Sequence, residues 1–157
     1  MRRSKPDVEN PGACKRQALD LLARREHSRL ELERKLAARG YSEDLIAPTL
    51  DGLEASGALA TARFTESFIR TRVAKGHGPA RIRMDLAQRG IAEVEAAALL
   101  ADSGIDWAAA ARAVRSKRFG AGAPASFAER ARQARFLQYR GFDGAAVRAA
   151  LDLDESD

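Results

Sequence analysis

The stretch LAQRGI, at residues 86–91, has two close copies in this chain: LAARGY at residues 36–41 and LQYRGF at residues 137–142. A helix commonly ends with a glycine in the left-handed conformation, which other residues adopt only at a steric cost. The residue after that glycine often contacts an apolar side chain one turn back. Each copy has leucine, glycine and a final apolar residue in these positions. We therefore interpret three glycines as structural helix ends, namely Gly40, Gly90 and Gly141.

The arginine before each glycine has two candidate roles. At the C-terminus of a helix, the helix dipole stabilises a cation by about 0.3–1 kcal/mol. This effect gives Arg39, Arg89 and Arg140 a local structural role. The alternative is that these arginines contact a partner.

The charged residues alternate in step with the repeated stretch. Residues 41–60 carry four acidic and no basic residues, whereas residues 61–92 carry seven basic and two acidic residues. Residues 93–106 are again acidic, and residues 107–140 carry eight basic residues against one acidic residue. Self-similarity at a fixed period predicts repeated structural units that stack on one another.

The repeat divides the chain into four predicted segments. Residues 1–12 form a flexible tail, and residues 13–76 hold an N-terminal helix and the first repeat. Residues 77–120 are the second repeat, and residues 121–157 hold the third repeat with an acidic C-terminal end. The predicted fold class is all-α: an elongated, curved tandem of three three-helix, helix-turn-helix-like repeats.

Capping signals place the helices. Ser28 and Ser126 each begin a Ser-x-x-Glu capping box, and Asp106 and Ser42 are further N-cap candidates. Pro48 is expected to kink its helix or to delay the helix start. The predicted helices cover residues 13–26, 29–39, 43–56, 62–75, 79–89, 92–103, 107–118, 127–140 and 144–152.

Composition favours a binding protein rather than an enzyme. The net charge of +5 favours an acidic partner, either nucleic acid or an acidic protein surface. Neither a phosphate-binding loop nor a nucleophile with a recognisable base is found. Cys14 is interpreted as a packing residue, and the two histidines lack partners at metal-ligand spacing. We expect no catalytic residue, metal, cofactor or small-molecule substrate.

No stretch is long enough to cross a membrane, since the longest apolar run covers only residues 96–101. We therefore expect a cytoplasmic protein that does not bind membranes. The segment KGHGPARIR, at residues 75–83, is interpreted as a linker that exposes His77, followed by a helix that begins at Pro79. Anion binding at the start of that helix is the alternative.

Clusters of basic residues recur at similar places in successive repeats, and cations aligned in this way suit phosphate or carboxylate recognition. A charged helix face that is merely solvated is the alternative. The candidate partner-binding or DNA-binding residues are Arg24, Arg25, Arg29, Arg70, Arg72, Lys75, Arg81, Arg83, Arg115, Lys117, Arg118, Arg130, Arg132 and Arg135, with Arg112 beside them.

Three stretches resemble the RecX family, which are bacterial regulators of the RecA recombinase. They are LLARREHSRLELERKLAARGY at residues 21–41, the residues 57–91 that begin GALATARFTESF, and ERARQARFLQYRGFDGAAVRAAL at residues 129–151. The resemblance covers residues 14–152. One departure is Ala60-Thr61, where family members often carry acidic residues, although Arg63-Phe64 is retained.

The resemblance implies a tandem of three-helix repeats that binds RecA filaments on DNA. Such binding would restrain ATP hydrolysis, strand exchange and filament growth in recombination and DNA repair. The resemblance carries no catalytic residues. Two alternatives stay open: a stand-alone DNA-binding protein of helix-turn-helix type, and a helical scaffold for an unrelated protein.

Overall fold

The computed structural model of the chain describes residues 7–152, and every regular element in that range is an α-helix. The predicted all-α class is therefore confirmed. Residues 1–6 of the predicted tail and residues 153–157 of the predicted acidic end lie outside the described residues. The helices are α1 (Pro11–Arg24), α2 (Arg29–Ala38), α3 (Glu43–Ala55), α4 (Thr61–Ala74), α5 (Pro79–Gln88), α6 (Glu93–Asp102), α7 (Trp107–Phe119), α8 (Phe127–Tyr139) and α9 (Gly144–Leu151).

Short polar side chains begin most of these helices. Ser28 completes a capping box, because its hydroxyl accepts from the Glu31 backbone and the Glu31 carboxylate accepts from the Ser28 backbone. Asp106 and Ser126 each accept from the backbone amide three residues later. These bonds satisfy amides that have no partner inside the helix. Local sequence therefore sets these helix starts, whereas Ser42, also an N-cap candidate, makes no side-chain cap bond at the start of α3.

Pro48 does not delay the start of its helix, so that part of the expectation was wrong. Helix α3 begins at Glu43 and continues through Pro48 to Ala55. Proline removes one backbone hydrogen bond inside a helix. The buried side chains of Ile46, Leu50 and Leu53 hold α3 against its neighbours despite that loss.

The three repeated glycines lie just beyond the ends of α2, α5 and α8, with positive φ angles of 100°, 81° and 97°. After α2, the Tyr41 amide donates to the Leu36 carbonyl at 3.2 Å, and the Gly40 amide donates to the Ala37 carbonyl at 3.0 Å. This pair of bonds defines a Schellman helix end. The ring of Tyr41 is buried there, so the same residues end the helix and fill the core.

The chain forms two compact units. Among the described residues, unit 1 contains residues 7–67 together with residues 89–91, and unit 2 contains residues 68–88 together with residues 92–152. The core of unit 1 joins α1, α2 and α3, and Cys14 lies fully buried in it as a packing residue. The core of unit 2 includes Ala111, Leu137 and Val147 from α7, α8 and α9.

His77 is buried rather than exposed, which corrects the expectation from the sequence. Only 9% of its surface is accessible, because residues 76–78 follow a helix end instead of a loose linker. The His77 amide donates to the Arg72 carbonyl at 3.0 Å, and the Gly78 amide donates to the Arg140 carbonyl at 2.7 Å. No helix within residues 7–152 has the length and apolar character needed to cross a membrane.

Candidate functional site

Within unit 2, two glycine-containing segments approach each other closely and hold the third repeat against α5. The amides of Gly78 and Ala80 donate to the carbonyls of Arg140 and Gly141, at 2.7 and 3.1 Å. A Cβ atom on Gly78 would lie only 2.5 Å from the Phe142 nitrogen, so no larger residue fits. The start of α5 is thereby held against the end of α8, which brings the last turn of α4 near α7 and α8.

In unit 1, the first cationic cluster is largely neutralised. Arg29 pairs with Asp51 at 2.8 Å, with Glu54 at 3.1 Å and with Glu33 at 3.1 Å. Partial burial lowers the pKa of Arg29, but its hydrogen bonds to these carboxylates outweigh that effect and raise the pKa overall. Arg29 therefore joins α2 to α3 and has little capacity left for a partner.

Arg24 and Arg25, the other two members of this predicted cluster, differ in whether a carboxylate pairs with them. Arg25 pairs with Glu31 at 2.8 Å and also donates to the Glu26 carbonyl. Arg24 is exposed and has no carboxylate partner among residues 7–152. Among residues 7–152, Arg24 is therefore the member of this cluster whose charge no carboxylate neutralises.

In unit 2, some cations of α4 and α5 pair with carboxylates and others have no such partner within the described range. Arg72 pairs with Asp85 at 3.3 Å and lies over the Phe68 ring, while Arg83 pairs with Glu93. Arg81 is half-buried, 5.8 Å from the centre of the Tyr139 ring. Two exposed cations have no carboxylate partner within the described range, Arg70 and Lys75.

Arg115 does not belong to any exposed surface, although the sequence pattern placed it in the binding set. Its side chain is fully buried, where Nε donates to Gln133 Oε1 at 2.8 Å and Nη2 donates to the Gly122 carbonyl. Gln133 in turn donates to Glu129 at 3.2 Å. The helical spacing of α7 turns Arg115 inward, and the guanidinium holds the α7–α8 connection in place.

The remaining predicted residues lie on α7 and α8. Arg130 bonds to Asp152 and to the Leu151 carbonyl, and Arg132 pairs with Glu129 at 3.3 Å. The residues Lys117, Arg118 and Arg135 are exposed and have no ion pair among the described residues. Arg112, also exposed, donates to the Ala149 carbonyl at 3.3 Å.

Three of the unpaired cations meet at one groove, which we term the α4–α7–α8 groove. Its volume is about 480 Å³, and Lys75, Lys117 and Arg118 line it. A fourth cation, Arg140, lies 5.0 Å from the centre of the Phe136 ring and donates to the Lys75 carbonyl at 3.2 Å. The lining residues are Val73, Ala74, Lys75, Gly76, Ala110, Ala113, Val114, Lys117, Arg118, Phe136 and Arg140.

Arg140 is a groove residue for which the sequence favours a helix-end role, with contact to a partner as the alternative. Its contact with Lys75 joins positions 65 residues apart, so no local pattern carries it. The available signal was the third copy of the repeated stretch, in which the arginine follows an aromatic residue instead of Ala or Gln. That signal marks the position as different without indicating the groove.

Both histidines are buried beside cations. In unit 1, His27 Nδ1 lies 3.1 Å from the Arg25 carbonyl and Nε2 lies 2.9 Å from Lys35 Nζ. Because a carbonyl only accepts and an ammonium only donates, this geometry fits a neutral ring with the proton on Nδ1. Burial lowers the pKa of His27, and the charges of Arg25 and Lys35 lower it further.

In unit 2, burial likewise lowers the pKa of His77, and the charges of Arg81 and Arg72 act in the same direction. Within the described part of the chain, no three His, Cys, Asp or Glu side chains gather as a metal site would require. The arrangement can bind anionic groups through its unpaired cations, and it holds both histidines in the neutral form.

Comparison with protein families gives three matches in succession. The family descriptions are RecX first three-helix domain at residues 14–53, RecX second three-helix domain at residues 62–100, and RecX third three-helix domain at residues 105–151. These ranges group α1–α3, α4–α6 and α7–α9. The predicted tandem of three-helix repeats is confirmed. The predicted repeat boundaries after residues 76 and 120 stay a prediction.

Individual proteins match over most of the chain. It is 51% identical over 140 residues to "Regulatory protein RecX" of Halorhodospira halophila, an alignment that covers 89% of this chain and 87% of that protein. It is 49% identical over 151 residues to the protein of the same name from Pseudomonas putida, an alignment that covers 94% of this chain and 97% of that protein.

Two solved structures share the fold. The crystal structure of RecX from Lactobacillus salivarius has a TM-score of 0.77 at 21% identity, and covers 94% of this chain and 98% of that chain. A crystal structure of regulatory protein RecX has a TM-score of 0.73 at 20% identity, and the match covers 88% of this chain and 71% of that chain.

Proposed function

Because this chain belongs to the RecX family of regulatory proteins, we propose that it binds RecA filaments on DNA and restrains their activity. The restrained steps are ATP hydrolysis, strand exchange and filament growth in recombination and DNA repair. The chain acts in the cytoplasm as a regulator and not as an enzyme, and it needs no cofactor. The observation that carries this proposal is the match to all three family domains in order.

The mechanism is electrostatic and multivalent. Unpaired cations of the predicted set, among them Arg24, Arg70, Lys117 and Arg135, attract acidic filament surface, DNA phosphate or both. Several weak contacts made by one chain add to tight binding, because each later contact forms within an already bound molecule. A regulator that spans neighbouring filament subunits would oppose the rearrangements that ATP hydrolysis and subunit exchange require.

The paired cations have a different role in this proposal. Arg29, Arg72, Arg83 and Arg130 each face a carboxylate within their own unit. Surface pairs of this kind contribute little to stability, but each one removes a charge that a partner would otherwise attract. Ion pairing therefore narrows the predicted binding set to the residues that remain unpaired.

A titration of RecA ATPase activity on single-stranded DNA tests the proposal. The chain is added in amounts well below the RecA concentration, and ATP hydrolysis is followed over time. The proposal predicts that hydrolysis slows at these low amounts, because one bound chain affects many filament subunits. An unchanged rate at every amount would contradict it.

A parallel titration separates the proposal from simple DNA binding. Single-stranded and duplex DNA are titrated with the chain alone across a range of salt concentrations. Weak binding here, together with slowed hydrolysis above, supports a regulator that recognises the filament. Tight binding to bare DNA that weakens steeply with salt would favour a stand-alone DNA-binding protein instead.

A further inference from the structure

The α4–α7–α8 groove has an aliphatic floor that its own helices leave unfilled. Val73, Ala110, Ala113 and Val114 line the floor, and two of these side chains are only methyl groups. Helix α7 therefore cannot fill the space beside α4. A volume of about 480 Å³ falls within the range of roughly 300–1,000 Å³ typical of ligand sites. The groove can hold one or two aliphatic side chains of a partner.

The rim of the groove is cationic, and no acidic residue lines it. Within residues 7–152, Lys75, Lys117, Arg118 and Arg140 form no ion pair with a carboxylate. In the same unit Arg72, Arg83, Arg130 and Arg132 all do. Unpaired cations around an apolar floor complement an occupant that carries negative charge next to an apolar group.

The aromatic residue of the groove does not offer a base-stacking surface. Phe136 already has the Phe119 ring edge-on at 5.3 Å between ring centres. The guanidinium groups of Arg140 and Arg118 lie 5.0 and 5.8 Å from the centre of the Phe136 ring. Single-stranded nucleic acid is bound by stacking its bases on exposed aromatic rings. An aliphatic side chain suits the Val and Ala floor better than a nucleobase does.

We infer that the α4–α7–α8 groove binds an acidic segment of a partner protein, with an aliphatic side chain on the floor and neighbouring carboxylates on the cationic rim. The inference deepens the proposed function and rests on it, since the partner is then the protein component of the filament. Lys75, Lys117 and Arg118 bind the carboxylates, and Arg holds them by paired hydrogen bonds. The groove supplies specificity, and the unpaired cations elsewhere supply general attraction.

The test uses the 157-residue chain and a short fluorescein-labelled peptide that carries a leucine flanked by aspartate and glutamate. Two comparison peptides replace the leucine with serine or the acids with their amides. Fluorescence anisotropy measures binding. Loss of a buried leucine is expected to weaken binding by about tenfold or more, and loss of the acids is expected to weaken it and to remove its salt dependence.

Two tryptophan variants locate the binding. Ala113→Trp fills the groove from an exposed position on α7, and Ser116→Trp adds the same side chain to an exposed position on α7 outside the groove. We expect about tenfold weaker peptide binding for Ala113→Trp and no change for Ser116→Trp. Thermal unfolding establishes that both variants are folded. Equal peptide binding by the two variants would overturn the inference.

Further measurements distinguish a peptide from a nucleic acid as the occupant of the groove. They also separate failure of the groove inference from failure of the proposed action on RecA. If oligothymidylate displaces the peptide and loses its own binding in Ala113→Trp, the groove is a nucleic-acid site and the inference is overturned. If the wild-type chain slows RecA hydrolysis and Ala113→Trp slows it equally, the inference fails while the proposed function stands. If the wild-type chain does not slow hydrolysis yet binds the peptide in the groove, the proposed function fails and the peptide site stands.

Discussion

Gly141 packs against the backbone of Arg81, so closely that a Cβ atom on the glycine would lie 2.6 Å from the Arg81 nitrogen. A similar close approach occurs in unit 1, where a Cβ atom on Gly90 would lie 2.9 Å from the Cβ atom of the Leu30 side chain. Gly90 precedes Gly141 by fifty-one positions, and Leu30 precedes Arg81 by the same number. At two of its three copies, the repeated glycine therefore ends a helix and also admits the close approach of an earlier helix start.

Gly141→Ala is expected to destabilise unit 2 strongly. An added methyl group meets a φ of 97° and a backbone atom that cannot move aside. Strain and overpacking together are expected to cost about 2–5 kcal/mol of the free energy of unfolding. Thermal unfolding followed by circular dichroism measures the loss.

Gly104→Ala is the matched control. Gly104 also has a positive φ, 70°, but an added Cβ would meet nothing within 4 Å. Only the conformational penalty applies, about 1–2 kcal/mol. Equal destabilisation by the two variants would show that the contact with Arg81 has no energetic consequence.

Arg115→Ala is expected to destabilise the chain without a direct effect on binding. Its truncation leaves a cavity and removes the donors that Gln133 and the Gly122 carbonyl now accept from. Leaving buried neutral acceptors without their donor is expected to cost about 1–3 kcal/mol, and the cavity adds to that loss. Arg118→Ala, an exposed change on the same helix, should stay within about 0.5 kcal/mol of the wild type. Urea unfolding of both variants checks the difference, and similar midpoints would contradict the structural role of Arg115.

Stability is expected to fall on mild acidification because of His27 and His77. The pKa of each ring is lowered in the folded chain, so folding favours the neutral form. Their contribution to stability is complete above the unfolded pKa of about 6.5. It is lost progressively as the pH falls from there towards the lowered folded values, because the unfolded chain then binds more protons.

Melting temperatures measured across this pH window test the effect. The double variant His27→Gln/His77→Gln removes both titrating groups and should show a smaller decrease in melting temperature. A decrease as large in the double variant as in the wild type would assign the pH dependence to other groups.

Much of the fold follows from local sequence. The pattern of caps and glycines predicts all the described helices to within about two residues, because hydrogen bonds close in sequence set helix ends. The stretch around Gly40 shows this most clearly, since Leu36, Gly40 and Tyr41 make the bonds that their spacing predicts.

The site depends on contacts between distant positions and follows much less from the sequence. Charge clustering does not distinguish Arg115, which is buried, from Lys117, which is exposed. The pairing of Arg29 with Asp51 and the approach of Arg140 to Lys75 both need the folded chain. The flanking glycines Gly76 and Gly78 predict an exposed linker at His77. In the fold, Gly78 instead packs against the backbone of Gly141, and Gly76 lies beside the side chains of Arg140 and Val114.

Charge reversal at the groove is expected to weaken the action on RecA. Lys117→Glu with Arg118→Glu places two negative charges on the rim, so the amount of chain needed to halve ATP hydrolysis should rise by about tenfold or more. Lys15→Glu with Arg16→Glu makes the same charge change on exposed positions of α1. A similar loss in both double variants would show that only net charge matters.

Electron cryo-microscopy of this chain on a RecA filament assembled on single-stranded DNA tests the central claim most directly. We predict density for the chain on the filament, with Lys117, Arg118 and Val114 of the α4–α7–α8 groove facing a RecA surface. A reconstruction in which the chain is absent from the filament, or bound with that groove open to solvent, would contradict the account.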